Sequence, residues 1–478
     1  MTSIIGKVTA PRVSGLLVAI LVAVLFKLMA FTPAVLVDGD TWLHVTAGEW
    51  ILDHRTIPRT DPFSHSMPGA PWTAHEWLSE IALALAFRAG GWSGVSLIAA
   101  LAASAAALVL GLRLSRDLAG AALVIVLELG IWLWFPSLNA RPHILALPIA
   151  ALWTAGLLAA RDRDAPPPLA LALLMTLWSN LHGGFAFGIA LIAPFAAEAL
   201  LTARPGARMA AVRGWAIFGC AAVAAALVNP YGIEALIFPF RVLGVENLSR
   251  VSEWAAQDFS RFSQMQVALI VLIGFALVYP MKTPPIRAAL VAMLVLMALA
   301  HLRHMLLFGL IAPMLLARPI AGAIGACPPE DVRRITRTAL AACLVLTLPM
   351  AVIRANVPIV RTNGQGAPIA ALAAVPAQLR EKPVLNEYPF GGYLVFAHVR
   401  PFIDGRADMY GESLLGLYLN IDDGDEEALK KTLDRYKISW TIFSPNSRTV
   451  GTLDREAGWR RLFADSVAVV HVRLDALP

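Results

Sequence analysis

Charge is what this sequence has least of. Only 15% of its 478 residues are Asp, Glu, Lys or Arg, while 58% are hydrophobic; soluble domains carry about 25% charged residues. A soluble fold has no use for so much apolar material, and the mean hydropathy of +0.66 points to a polytopic α-helical membrane protein. Cysteine is almost as scarce. Cys220, Cys327 and Cys343 lie in or beside apolar segments without metal-ligand spacing, so no disulfide framework is implied and they read as small buried hydrophobes. No basic-aromatic cluster stands out either. The net charge of +6 therefore fits basic loops beside anionic lipid and excludes a nucleic-acid partner. Internal repeats and low-complexity tracts are absent, although alanine is abundant.

What is present is a series of apolar runs. About 20 apolar residues cross a bilayer, and the runs place about eleven spans: 14–36, 92–112, 119–136, 143–160, 167–181, 184–203, 211–228, 264–281, 285–301, 304–318 and 335–353. The first exceeds a signal-peptide core and is read as a retained span. Lys7 and Arg12 precede it; Arg113 and Arg116, Arg161 and Arg163, Arg204, Arg208 and Arg213, Lys282 and Arg287, and Arg318, Arg333, Arg334 and Arg337 fall in every second connection after it. Positive charge favours the inner side, which sets the N-terminus in the cytoplasm and the C-terminal segment outside. Residues 76–90, "EWLSEIALALAFRAG", contain Glu80 and Arg88 and would invert that bias if they spanned, so they are expected to lie along the outer interface.

The chain then divides into a transmembrane domain, 1–353, with a long first external loop, 37–91, and a small extracytoplasmic α/β domain, 354–478. In the latter "PVLNEY", "RPFIDG", "ISWTIFSP" and "VAVVHVRL" read as strands, and "EEALKKTLDRY" and "REAGWRRLFA" as helices.

The connections on the outer side differ in chemistry from the arginine-dotted inner ones. They hold "DGDTWLH", "AHEWLSE", "NARPH", "NLHGG", "SEWAAQDF" and "HLRH". Polar side chains at span ends are costly and mark function. Asp40 can cap a helix starting at Thr41, with His44 one turn on and on the same face. Asp38 and Asp40 are candidate bases, and Asp38, His44, His75 and Glu76 candidate ligands of a divalent cation such as Mg or Mn. Arg141, His143, Asn180, His182, Arg303 and His304 are candidate phosphate- or substrate-binding groups; each is also a plausible helix-end residue. Glu49 lies off the Asp40 face and reads as structural. Asp404, Arg406 and Asp408 in "FIDGRADMYG" fit a structural strand-turn. Ser66, within the first loop, is expected to be accessible from outside.

This layout resembles the GT-C superfamily of integral-membrane glycosyltransferases, on "DGDTWLH" and the loop behind it, followed by "WLSEIALALAFRAGGWSGVSLIAALAASAAALVLGLRLSRDLAG". The resemblance covers most of the chain as architecture. It implies a bacterial inner-membrane enzyme that moves a sugar from a polyprenyl-phosphate donor to a lipid, glycan or protein acceptor on the extracytoplasmic side. An acidic residue of the first loop would be the base, here Asp40 with Asp38 as competitor. The rival readings are a transporter or flippase of a lipid-linked substrate, for which repeated halves would be expected, and a non-catalytic envelope scaffold.

Overall fold

A computed structural model describes residues 11–244, 246–326, 331–364 and 366–476; Lys7 and Cys327 lie outside the described residues. The chain opens with α1 (Pro11–Phe31), α2 (Asp40–His54), α3 (Trp77–Leu114), α4 (Gly120–Trp132) and α5 (Pro142–Asp162). Eight segments are long and apolar enough to cross a membrane: Arg12–Phe31, Trp77–Leu114, Gly120–Ser137, Pro142–Asp162, Phe185–Thr202, Pro205–Ala226, Leu302–Ala323 and Val332–Asn356. Each overlaps one of the expected spans. The other three expected spans appear as shorter apolar helices, Leu169–Leu181, Gln264–Val278 and Pro285–Ala300. The protein is a multi-pass membrane protein.

The "EWLSEIALALAFRAG" segment forms the first part of α3 and is set off from the rest by a break at Gly90 (φ −151°, ψ 20°) and Gly91 (φ 57°, ψ −145°). The left-handed φ at Gly91 is open to glycine at little cost. The bend is tight, since a Cβ at Gly94 would collide with the Ala86 carbonyl. Arg88, one of the residues that argued against a span here, donates to Glu49 (2.7 Å) and Asp53 (2.5 Å), which lays this part of α3 along α2.

One end of the bundle is held by ion pairs, buried at Arg113 and Arg287 and exposed at Arg318. Arg113 reaches Asp117 (2.8 Å) and Asp162 (3.1 Å), Arg287 reaches Glu198 (3.0 Å), and Arg318 reaches Asp162 (3.1 Å). These side chains come from the ends of α3 and α5 and from the Ile192–Thr202, Pro285–Ala300 and Met305–Ala323 helices.

At the C-terminal end of the chain a four-stranded sheet comprises β1 (Val384–Asn386), β2 (Trp440–Phe443), β3 (Trp459–Ala464) and β4 (Val469–Arg473) in the order β1-β2-β4-β3. β1 and β2 are parallel, and the other pairs antiparallel. Two expectations fail here. "RPFIDG" forms no strand, because the Asn386 side chain takes its backbone groups: Nδ2 donates to the Ile403 carbonyl (2.8 Å), and Oδ1 accepts from Phe402 N (2.8 Å). "REAGWRRLFA" is largely strand β3 and not a helix. Gly458, at φ 90°, ends the preceding turn, and Trp459, Leu462 and Phe463 suit a half-buried edge paired with β4.

The first loop and this region share one core. Leu43, Phe63 and Trp72 pack with Phe402, Ile403 and Tyr410. Arg406 is clamped between Asp404 (2.7 Å) and Asp61 (2.7 Å), all three buried, which makes them the structural elements the sequence suggested. Ser66 departs from expectation. It is half-buried, its hydroxyl donating to the Phe402 carbonyl (2.5 Å).

Candidate functional site

Asp38 and Asp40 lie at the start of α2, and the capping bond expected of Asp40 is made by Asp38 instead. The Asp38 carboxylate accepts from Asp40 N (2.8 Å) and so caps the helix, which leaves the Asp40 side chain free to face inward. The "NARPH" turn is brought alongside by Ala140 N, which donates to the Val35 carbonyl (2.8 Å). Pro142 starts α5, as proline favours the first helical position, and Arg141 just before it turns onto the acidic pair. Its guanidinium lies 3.2 Å from Asp38 and 3.0 Å from Asp40, and it also pairs with Glu253. Asn139 Nδ2 donates to Asp38 (2.6 Å). One cation thus serves three carboxylates.

Burial pushes the Asp40 carboxyl up to about 8; Arg141 pulls against that, while Asp38 and Glu253 add to it. Glu253 is moved the other way: burial opposes ionisation, but Arg141 and Arg303 outweigh it and hold the carboxyl near 2. Burial alone would lower the Arg141 pKa, yet its three carboxylates raise it well above the usual value. The cluster therefore holds a fixed cation, a fixed anion in Glu253, and in Asp40 an acid able to exchange a proton near neutrality.

The C-terminal region closes this cluster. A Cβ at Gly405 would collide with the Asp40 carboxylate, and one at Gly392 with the Gly39 carbonyl. Only backbone fits there, so the "FIDGR" turn lies directly against the candidate base. The Tyr388 hydroxyl, buried and close enough to feel Asp40, Glu253 and Asp404, has its pKa raised well above the usual value and stays protonated.

A second group surrounds Glu76. His44 Nε2 lies 3.9 Å away, His75 Nε2 3.7 Å and His182 Nε2 3.4 Å, and His44 Nδ1 also reaches Glu80 at 3.4 Å. Burial lowers the His44 pKa to about 4, and that of His182 well below the ordinary value, so both are neutral at pH 7. His143 lies 6.1 Å from His182, ring to ring, and bonds to the Ser137 carbonyl (2.8 Å). Arg303 stacks 4.4 Å over Trp254, the residue after Glu253, while His304 bonds to the Met297 carbonyl (3.2 Å). Asn180 sits beside this group but has its amide committed: Nδ2 donates to the Thr176 (2.7 Å) and Val228 (2.9 Å) carbonyls, and Oδ1 accepts from Trp77 (2.9 Å). It ties three helices together and has no donor left for a substrate.

The candidate cation ligands His44, His75 and Glu76 do meet. Among the described residues, however, no group of three or more His, Cys, Asp or Glu side chains stands ready to hold a metal ion, and Asp38 faces Arg141 rather than open space.

Sequence reasoning missed Glu253, Tyr388 and Gly405. Glu253 was in view within "SEWAAQDF", but nothing local ties it to Arg141.

With this geometry, the chain is similar in structure to the oligosaccharyltransferase of Archaeoglobus fulgidus in its apo form, at 12% identity and a TM-score of 0.51 over 90% of this chain and 69% of that one. It is also similar to ArnT from Cupriavidus metallidurans in the apo state, at 12% identity and a TM-score of 0.50 over 96% and 98%. Both belong to the GT-C superfamily of membrane glycosyltransferases. The chain has the GT-C fold. No protein-family model matches it, and no curated protein matches it in sequence. The GT-C likeness extends over 96% of the chain in the ArnT comparison, so it takes in the C-terminal sheet region as well as the helices.

Proposed function

We propose that this chain is a membrane glycosyltransferase that moves a sugar from a polyprenyl-phosphate donor to a lipid, glycan or protein acceptor, with Asp40 as base. The observation that carries the reading is the convergence, on a GT-C fold, of Asp38, Asp40, Arg141 and Glu253 from separate stretches into one buried cluster. Breaking the bond between the anomeric carbon and the phosphate oxygen builds positive charge on the sugar and negative charge on the leaving phosphate. Arg303, stacked over Trp254, supplies the positive charge for the phosphate, while Arg141 is held by its carboxylates. The acceptor hydroxyl attacks the anomeric carbon from the opposite face, its proton passes to Asp40, and the bonding pair leaves with the polyprenyl phosphate. The anomeric configuration inverts. Asp38 holds the helix start and Arg141 in place, and Tyr388 is a hydrogen-bond donor beside the reacting hydroxyl. No step is routed through a metal ion.

The transporter reading would favour polar groups near the span centres. Arg141, His182 and Arg303 lie at helix ends instead, which supports chemistry at one face. The test is to incubate purified protein with a polyprenyl-phosphate-linked sugar and compare lipid-linked and glycan profiles from cells carrying the wild-type chain or Asp40→Asn at equal abundance. Loss of one transfer product is expected. Identical profiles and donor turnover would remove Asp40 from the chemistry.

A further inference from the structure

Five arginines are buried among the described residues: Arg113, Arg161, Arg287, Arg354 and Arg406. Four reach carboxylates: Arg113 those of Asp117 and Asp162, Arg161 and Arg287 that of Glu198, and Arg406 those of Asp404 and Asp61. Arg354 reaches none. Its Nη2 donates to Ser93 Oγ (3.3 Å) and to the Val357 carbonyl, its guanidinium stands 5.4 Å over Phe31, and its Nε has no partner. Arg361 is a second cation of the same kind. It stacks 4.4 Å over Trp42 and 4.8 Å over Trp92, Nη1 is buried without a partner, and no described carboxylate pairs with it.

The two arginines gather at one turn. Ser93 Oγ donates to the Val357 carbonyl (2.8 Å) and accepts from Ile359 N (2.9 Å), which pins the strand of chain between them against Trp92 and Ser93. Outward from this turn the surface is apolar, with Leu348, Val352, Ile353, Val357 and Val360 all exposed. A buried cation without a counter-ion is costly, and burial has already pushed the Arg361 pKa down to about 10. Aromatic faces offset part of that cost but leave Arg354 Nε and Arg361 Nη1 without partners. Those N–H groups match phosphate oxygens, and tryptophans beside arginine at the rim of an apolar surface are what a head-group layer favours. The place is distinct from the Arg141 cluster, because Trp42 follows Asp40 by two residues and so points to the opposite side of α2.

We propose that Arg354 and Arg361 form a binding site for the phosphate of an anionic phospholipid whose chains lie along the exposed Val352–Val360 surface. The test is native mass spectrometry of the full chain in detergent with phosphatidylglycerol, or with diacylglycerol of the same chains as the neutral control. Wild-type protein should retain phosphatidylglycerol by about tenfold over diacylglycerol, and Arg354→Gln/Arg361→Gln should erase that preference. Arg361→Lys, which keeps charge but not the fork, should lie between them. Equal retention of the two lipids by wild-type protein overturns the proposal without recourse to any variant. So does an unchanged preference in the double variant, with folding checked by circular dichroism; if that variant does not fold, Arg361→Gln alone is decisive. Displacement by millimolar inorganic phosphate would assign the site to the free anion and refute the lipid; persistence supports the lipid.

Discussion

Replacing Arg141 by Gln removes the one cation shared by Asp38, Asp40 and Glu253 and keeps a side chain of similar length. Breaking a buried ion pair costs about 3–5 kcal/mol, because the partner is left charged and unpaired. Two features set the figure here. Asp38 and Glu253 lose their counter-ion, whereas Asp40, its carboxyl pushed up to about 8, is mostly the neutral acid at pH 7; the Glu253 side chain is 37% exposed, so water screens its share. A cost of about 3 kcal/mol at pH 7 follows. The penalty must depend on pH, and its sign can be worked out. Glu253, held near 2 in the wild type, contributes stability present above its unfolded pKa and lost as pH falls through about 2. Without Arg141 that contribution disappears, so the variant is hurt most at neutral pH and least in acid. Thermal unfolding of the detergent-purified proteins at about pH 7 and about pH 4 measures this, with Arg141→Gln/Glu253→Gln completing a double-mutant cycle. Coupling indistinguishable from zero, or a destabilisation that does not shrink on acidification, would refute the shared-cation account. Sugar transfer by the variant should fall with stability controlled for, since Asp40 loses the side chain that positions it.

Four other outcomes are expected. Asp40, with its carboxyl pushed up to about 8, acts as a base only when deprotonated, so turnover should rise with pH through neutrality and level off above about pH 8; a flat profile counts against it. A raised carboxyl pKa contributes stability present below the unfolded value and lost as pH rises through about 8, so Asp40→Asn should unfold later than wild type in alkali while transferring nothing. Gly405→Ala, whose new Cβ would meet the Asp40 carboxylate, should cut kcat by about tenfold or more through displacement of the base with little change in thermal stability; normal kcat would show that the Asp404–Arg406 turn is unimportant to Asp40. Gly91→Ala, at φ 57°, should cost about 1–2 kcal/mol in thermal unfolding, whereas a neutral result would mean the break in α3 is not held as described.

The spans were legible because hydropathy is a local property: a run such as Ser14–Leu36 needs no partner to be recognised. Asp38, Asp40, Arg141 and His182 were legible for a related reason, since a polar residue at the end of an apolar run is anomalous wherever the rest of the chain goes. The edge strand β3 was misread because "REAGWRRLFA" has no strong alternation, and only pairing with β4 makes it a strand. Asn180 looked like a substrate group because its three partners, Trp77, Thr176 and Val228, lie partly in distant stretches.

The amino-acid order by itself determined the membrane class, the positions of the apolar helices and the chemical types available at their ends, since each depends on neighbours within a turn or two. Tertiary structure alone decided that Arg141 would meet Glu253, 112 residues later, and that a glycine near the far end of the chain would close over Asp40. Charge–charge and steric terms act over a few ångströms of space, and no local pattern encodes which distant segments share that space.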